Sequence, residues 1–480
     1  MGSAMHNRLI HSVGIDIGTT TTQMIFSKLA LVNRAAASRV PHYEFSEREI
    51  IYVSPIISTP IDKNEKIDQE RLSQFINAQY LDAGFKQEQI ESGAIIITGE
   101  TSKIKNARDT IMHLAAELGN FVVATAGAHL ESVIAGKGSG ACEYSQAENC
   151  RVLNMDIGGG TTNYVVFEAG RVVDTACLNI GGHLIETDEY GQIQKVHEPA
   201  KKLCAAYFGT SVDASALNMT QLESLIKQMA SLIVEVLLGT PSSQAKMLLM
   251  TECLRHNYHY DAIFISGGVG ECFYHPQSNT QIFAFKDIGP TLANKLRQHP
   301  QIKMLPIKQP KQTIHATVIG AGAYTLSLSG STVWISAKHL PIRNVPILHT
   351  HTPWLNLTPK KLSEEWKISA KHADIMPDSE IFALALPTDL PIRYSSVKMI
   401  VEALQLFSQT QNKCTLPLIV IAEQDVGKVL GMELQPLMRN RELAIIDEVK
   451  TQSGDYIDIG QPFLNGSTIP LTIKSLAFPS

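Results

Sequence analysis

Long hydrophobic runs are missing from this 480-residue chain: no stretch of about 18 apolar residues occurs, so nothing in it reads as a bilayer-spanning helix. Strong charge is missing too. The formal net charge is −5, with 18% charged residues, which gives no general attraction to nucleic acid or anionic membrane. The basic pairs Lys201-Lys202 and Lys360-Lys361 are short and read as solvated faces. Cysteines number seven, an odd count without any CxxC spacing, so neither a zinc knuckle nor a disulfide framework is indicated. Free thiols in apolar contexts fit a reducing cytosol. The start, Met1 to Met5, has no basic region leading into an apolar stretch and is not a signal peptide. Residues 1–10 read as a tail or cloning remnant. There is no GxxxxGKS/T loop, no GxSxG elbow and no DxHxxG stretch, and Gly136 to Gly140 only approximates a dinucleotide fingerprint.

What is present is an ordinary globular composition, 44% apolar, long enough for about three domains of roughly 150 residues. Ser12 to Ile17 and Thr22 to Phe26 read as a hairpin about a tight turn, followed by β-type runs at Glu49 to Val53, Ala94 to Thr98 and Phe121 to Ala126. Leu72, Phe75, Ile76 and Tyr80 mark one helical face over 68–83, and 106–118 reads as another helix. The order repeats from Arg151: β-type runs at 152–157, 164–167 and 172–178, helices over 219–238 and 243–254, then a buried strand at Ala262 to Ile265. Small residues from Ile319 to Leu328 suggest a helix. Near Trp334 the texture changes. Pro341, Pro346 and Pro353, with His349 and His351 between, read as a linker whose histidines lie on a surface loop. Alternating strands and helices then suggest a C-terminal α/β domain. The expected divisions are 11–140, 150–330 and 340–480.

Two turns match without a gap: Asp16-Ile17-Gly18-Thr19-Thr20-Thr21 and Asp156-Ile157-Gly158-Gly159-Gly160-Thr161. A nucleoside triphosphate needs backbone N–H donors that approach closely, and glycine permits the turn that converges them on one oxygen. It also needs Mg²⁺, which keeps several waters and takes few protein carboxylates. Gly18, Thr19, Thr20 and Thr21 offer such donors, as do Gly158, Gly159, Gly160 and Thr161. Asp16 and Asp156 stand at the strand ends to hold hydrated Mg²⁺ and to orient the attacking water. One such turn is equally well a structural hairpin. Two aligned copies point to phosphate.

A third element is the strand that opens into Gly267-Gly268, where a base and ribose can lie against backbone. Gly181-Gly182 reads as a structural turn or a ligand contact. Glu131, in a small-residue helix from Ala128 to Gly136, is either part of the Mg²⁺ site or a solvated carboxylate.

In order, these motifs resemble the actin, Hsp70 and sugar-kinase superfamily over Val13 to Leu328, which implies an actin-like ATPase with two ribonuclease-H-like domains closing on ATP and Mg²⁺. A closer resemblance runs over nearly the whole chain. Val13 to Thr22, Leu31 to Ala35, Gly93 to Glu100 and Lys474 to Ser480 resemble the ethanolamine ammonia-lyase reactivating factors. That family likeness implies a bacterial, cytoplasmic, chaperone-like ATPase, associated with the ethanolamine-utilization microcompartment. Its partner would be ethanolamine ammonia-lyase, from which it releases inactivated cobalamin so that adenosylcobalamin can rebind. Adenosylcobalamin is then the client's cofactor, and no motif here binds it. No nucleic acid or membrane partner is implied, and a homo-oligomer is left open. The fold alone also admits a small-molecule kinase or a nucleotide-dependent filament or scaffold.

Overall fold

The computed structural model describes residues 7–18, 21–33, 43–62, 66–90, 92–97, 110, 114, 121–125, 127–276, 283–310, 313, 322–328, 334–335, 340–409, 416–439, 441–460 and 470–476. Its first sheet joins β1 (Asn7–Ile17), β2 (Thr21–Asn33), β3 (Tyr43–Val53), β4 (Ser92–Ile97) and β5 (Phe121–Thr125) in the order β3-β2-β1-β4-β5. Strands β1 to β3 form an antiparallel meander, while β4 and β5 run parallel to β1. A parallel return requires a crossover, and helix α1 (Gln69–Asp82) provides one between β3 and β4. Asp68 caps α1 by accepting from the Arg71 amide, and Leu72, Ile76 and Tyr80 turn the buried face inward. Strand β1 begins at Asn7, so the first residues after position 6 belong to the sheet and not to a tail. Of the helix expected over 106–118, only Thr110 and Leu114 are described, both helical and buried.

The second sheet repeats this plan. Strands β6 (Arg151–Ile157), β7 (Thr162–Glu168), β8 (Arg171–Leu178), β9 (Ala262–Ser266) and β10 (Ile307–Lys308) lie in the order β8-β7-β6-β9-β10. Again the first three are antiparallel and the last two parallel to the first. Both sheets thus have ribonuclease-H-like topology, and the duplicated actin-like architecture expected from the sequence is borne out. Helix α2 (Ala128–Gly138) packs across β6, β7 and β8, and Gly136 allows its close approach because a Cβ there would overlap Val165. Helix α3 (Glu198–Phe208) and helix α4 (Met219–Leu237) follow, the latter opened by an Asn218–Gln221 capping box. The helix expected over 243–254 stops at Leu248, because Leu249 bridges to Leu178 and the Met250 amide donates to the Cys177 carbonyl.

The third sheet has eight strands: β11 (Gly322–Leu328), β12 (Trp334–Ile335), β13 (Ile342–Leu348), β14 (Ala383–Ala385), β15 (Leu418–Ile421), β16 (Leu443–Ile446), β17 (Asp455–Ile459) and β18 (Pro470–Leu476). Its centre, β13-β14-β15-β16, is parallel. Both faces of that centre are buried: Leu418 and Val420 lie in one apolar cluster, Ile419 and Ile421 in the other. Two expectations fail here. Residues 322–328 form a strand paired with β18 and not a helix, so this sheet draws on chain ahead of residue 330. Residues 342–348 form a central strand and not a linker. The prolines are tolerated because β13 is irregular between Ile342 and Val345, where Asn344 has φ 53°, and because its pairing with β14 starts only at Ile347.

The six described cysteines are free thiols, and Cys414 lies outside the described residues. No helix among the described residues is long and apolar enough to cross a membrane.

Candidate functional site

Each β-hairpin that opens a ribonuclease-H-like unit ends in the same turn. In the first, Asp16 pairs with Gln23 and Ile17 with Thr22, and the Gly18 amide donates to the Thr21 carbonyl at 2.8 Å. In the second, Asp156 pairs with Asn163 and Ile157 with Thr162, and the Gly158 amide donates to the Thr161 carbonyl at 3.0 Å. The gapless sequence repeat is therefore a repeat of register. Thr19 and Thr20 lie outside the described residues.

Buried threonines anchor both turns. Thr22 Oγ1 lies 3.1 Å from Thr59 Oγ1, which donates to the Gly18 carbonyl at 2.7 Å. Thr162 Oγ1 donates to the Ile180 carbonyl at 2.7 Å. The segment after Ile180 then backs the second turn directly. The Gly182 amide donates to the Gly158 carbonyl at 2.9 Å, and the His183 amide to the Gly159 carbonyl at 2.7 Å. Gly181 has no room for a side chain, since a Cβ would overlap the Gly159 carbonyl. Gly181-Gly182 is thus a support under the turn. With its carbonyls engaged from behind, the turn leaves the Gly159 and Gly160 amides without an acceptor among the described residues. Orphaned amides at a glycine turn suit an anion.

Asp156 is 5% exposed at the end of β6. Burial pushes its carboxyl up to about 6, against the Ser266 hydroxyl, which donates to Oδ1 at 2.6 Å. A buried carboxylate with one short partner is a group that a divalent cation would stabilise, so the donor set fits hydrated Mg²⁺. Asp16, half-buried on β1, has Ile96 as its parallel register partner where Asp156 has Ser266. The two carboxylates therefore occupy equivalent positions in different surroundings.

Gly267 opens helix α5 (Gly267–Tyr274) with φ +85°, and its would-be Cβ falls 2.7 Å from the Ile157 carbonyl carbon. Gly267, just after β9, is thus packed on the strand that carries Asp156. Gly268 is exposed, and a Cβ there would meet nothing within 4 Å.

Beside the second turn lies a cavity of ≈ 370 Å³, lined by Gly160, Thr161, His197, Glu198, Lys202 and Met250 among others. Its size is in the range of small-molecule sites. Helix α3 starts at this wall with Pro199 in its first turn and no side-chain cap on His197, so its free N-terminal amides add to the positive end of the helix. Lys202, exposed as expected of a solvated charge, also lines this cavity beside the second turn. The sequence signal that marks it is its place one turn into a helix that follows the hairpin. Glu131 is 8% exposed, which rules out the solvated reading.

The two histidines do lie in a connection, His349 half-buried and His351 exposed. His349 and His351 follow β13 and line a cavity of ≈ 90 Å³ with Lys137 of α2 and His372. Burial, then His351 and Lys137, push the His349 imidazole down to about 4.

Comparison with known proteins adds the family. The family model described as "Ethanolamine utilisation protein EutA" matches residues 8–479. A protein of Salmonella typhimurium described as "Ethanolamine ammonia-lyase reactivase EutA" is 48% identical over 99% of this chain and the whole of that protein. One of Escherichia coli with the same description is 49% identical over the same shares. A solved ethanolamine utilization protein EutJ from Carboxydothermus hydrogenoformans aligns over 64% of this chain and 87% of that one, at 15% identity and a TM-score of 0.32, too low to bear on the fold.

Proposed function

Because the chain belongs to the ethanolamine utilisation protein EutA family, we propose that it is a reactivase of ethanolamine ammonia-lyase, an ATP-dependent, chaperone-like factor. It releases inactivated cobalamin from the lyase, and adenosylcobalamin then rebinds to the client. The work takes place in the bacterial cytoplasm, next to that client.

The observation that carries the nucleotide part is the shared register of the two turns, each with an aspartate at the strand end and glycine at the bend. Gly18 to Thr21 and Gly158 to Thr161 hold the phosphates through backbone amides and hydroxyls. The orphaned amides of Gly159 and Gly160 support that role in the second turn. Gly267 and Gly268 take the adenosine, with Gly268 leaving the open space that a ribose or base needs. Mg²⁺, when bound, neutralises phosphate charge, and Asp16 and Asp156 are the carboxylates that would hold it through water. The same carboxylates orient the attacking water. Catalysis then rests on positioning and charge, as phosphoryl transfer generally does.

Hydrolysis biases closure of the two ribonuclease-H-like units, and α2 carries that motion to the C-terminal sheet. Its support is that α2 packs on β7 and β8 with one face and meets helix α6 (Pro359–His372) with another.

The test is ATP turnover by the purified protein with Mg²⁺. Free phosphate should appear at the same rate with or without small hydroxyl acceptors. A phosphorylated acceptor in place of free phosphate would make the protein a small-molecule kinase. ATP-dependent sedimentation without any effect on a cobalamin enzyme would make it a scaffold.

A further inference from the structure

Behind the second turn, one side chain connects more charged groups than any role assigned so far explains. His183 follows Gly181-Gly182, and its amide holds the Gly159 carbonyl at 2.7 Å. Its ring lies between two carboxylates. Nδ1 is 3.3 Å from Asp287 Oδ2, and Nε2 is 3.7 Å from Glu186 Oε1. Each carboxylate is tied elsewhere. Asp287 Oδ1 accepts from the Gly289 amide at 2.9 Å, and the Ile288 amide returns to the Gly182 carbonyl at 3.1 Å. Glu186 Oε1 also meets His197 Nε2 at 2.7 Å and Lys195 Nζ at 3.3 Å. His197 is the N-cap residue of α3 and lines the cavity beside Gly160 and Thr161. One network therefore runs from under the turn to the lining of that cavity.

We propose that His183 is the positioning residue of the second phosphate turn: ion-paired to Asp287 and Glu186, it fixes the Gly158 and Gly159 carbonyls from behind and so aims the turn's amides at the phosphates. The inference rests on the nucleotide reading above and names a residue that neither the motifs nor the family description single out.

Charge sets the state of the device. The hydrogen bond to Asp287 raises the His183 imidazole above its ordinary value, against burial, with the Asp287 and Glu186 charges adding to the rise and Lys195 opposing it. Burial pushes Glu186 up, but His197, His183 and Lys195 outweigh it and hold that carboxyl below its usual range. The groups facing the ring are Asp287, Glu186, Lys195 and His197. Protonated, His183 donates from both nitrogens and bridges both carboxylates. As pH rises through its raised value the bridge loses its charge, and the backing of the turn loosens.

The test compares the full-length protein with His183→Gln, which keeps a polar side chain of similar reach but cannot carry charge. Two readouts are needed. The first, without nucleotide, is hydrogen exchange of the Gly182 and His183-position amides, which are bonded to the turn carbonyls. Exchange should be about tenfold faster in the variant near pH 6, the size of one charge-assisted hydrogen bond, with the difference shrinking toward pH 8. The second is KM for ATP. It should rise with pH in the wild type, start about tenfold higher in the variant and stay flat there, with kcat changed far less. Equal exchange in both proteins would overturn the inference whatever ATP does. Equal KM and equal pH profiles would overturn it as well. Faster exchange in the variant, alongside a wild type that binds no ATP, would instead refute the nucleotide reading and with it the purpose given to the turn.

Discussion

Ser266 donates its hydroxyl to Asp156 Oδ1 at 2.6 Å, and the two residues are also register partners on adjacent parallel strands. The bond ties the carboxylate at the second glycine turn to the strand that opens into Gly267-Gly268. It is also what opposes the burial that pushes Asp156 up to about 6. Replacing Ser266 with alanine leaves the carboxylate buried with one partner fewer. Turnover of ATP should then fall about tenfold or more, since a buried hydrogen bond to a charged group is worth roughly 1.5–3 kcal/mol. The circular-dichroism spectrum should not change. Wild-type turnover in Ser266→Ala would show that Asp156 has no need of this partner.

Gly267 and Gly268 are adjacent yet should respond differently to alanine. At Gly267 the positive φ and the Ile157 backbone leave no space, so Gly267→Ala should destabilise the fold by about 1–3 kcal/mol, as overpacking does. At Gly268 a Cβ meets nothing in the free protein. Gly268→Ala should keep the wild-type melting temperature and lose nucleotide affinity, because the added methyl enters the space given to adenosine. Calorimetric titration with a non-hydrolysable ATP analogue separates the two. Unchanged affinity in Gly268→Ala would move the adenosine elsewhere.

Helix α2 is capped from another part of the chain. Asp374, 244 residues from Leu130, accepts from the Leu130 amide and from that of His129, while the N-cap residue Gly127 has no side chain to do so. A Cβ on Gly127 would occupy the space of the Asp374 carboxyl. At its other end α2 reaches back to the C-terminal unit through Lys137 Nζ, 3.3 Å from the Ser453 carbonyl. Asp374→Ala should speed hydrogen exchange in the first turn of α2 several-fold, as loss of a cap worth ~1 kcal/mol implies. Asp374→Asn should largely preserve protection, because asparagine caps as well. Equal exchange in all three proteins would remove the cap from the account.

The histidines behind that contact set an acid limit. Burial pushes both His349 and His372 down to about 4, His349 further repelled by His351 and Lys137, and His372 by His129 and Lys371. Both are neutral in the fold at pH 7. Their folded values lie below the ordinary 6.5, so the unfolded chain binds more protons between those limits. The stability they contribute is present above pH 6.5 and lost as pH falls toward 4. The melting temperature should drop over that window, and less steeply in a His349→Gln, His372→Gln double variant. Parallel curves would assign acid sensitivity to other groups.

The parts of the fold legible in the sequence are those where one local rule decides. The turn aspartates and glycines fixed both hairpins down to register, and Leu72, Ile76 and Tyr80 gave α1 its buried face. What stayed hidden depends on distant chain. Ile342 to Leu348 carries Pro346 and looks like a connection, but strands from residues 383–385 and 455–459 supply pairing on both sides. The small residues near Gly322 suit either helix or strand, and β18 decides for strand. At the second turn, the place of Asp156 at the strand end was legible, whereas Ser266 and Lys202 come beside the turn only through strand order and the start of α3. The sequence does not single out His183, because its partner Asp287 lies 104 residues on.

The most direct measurement is recovery of activity by inactivated ethanolamine ammonia-lyase mixed with the purified protein, ATP, Mg²⁺ and adenosylcobalamin, run in parallel with folded Asp156→Asn. The account expects recovery that requires all four additions and falls by about 100-fold or more in the variant, as for loss of a principal electrostatic group. Recovery without ATP, or at the wild-type rate with Asp156→Asn, would contradict it.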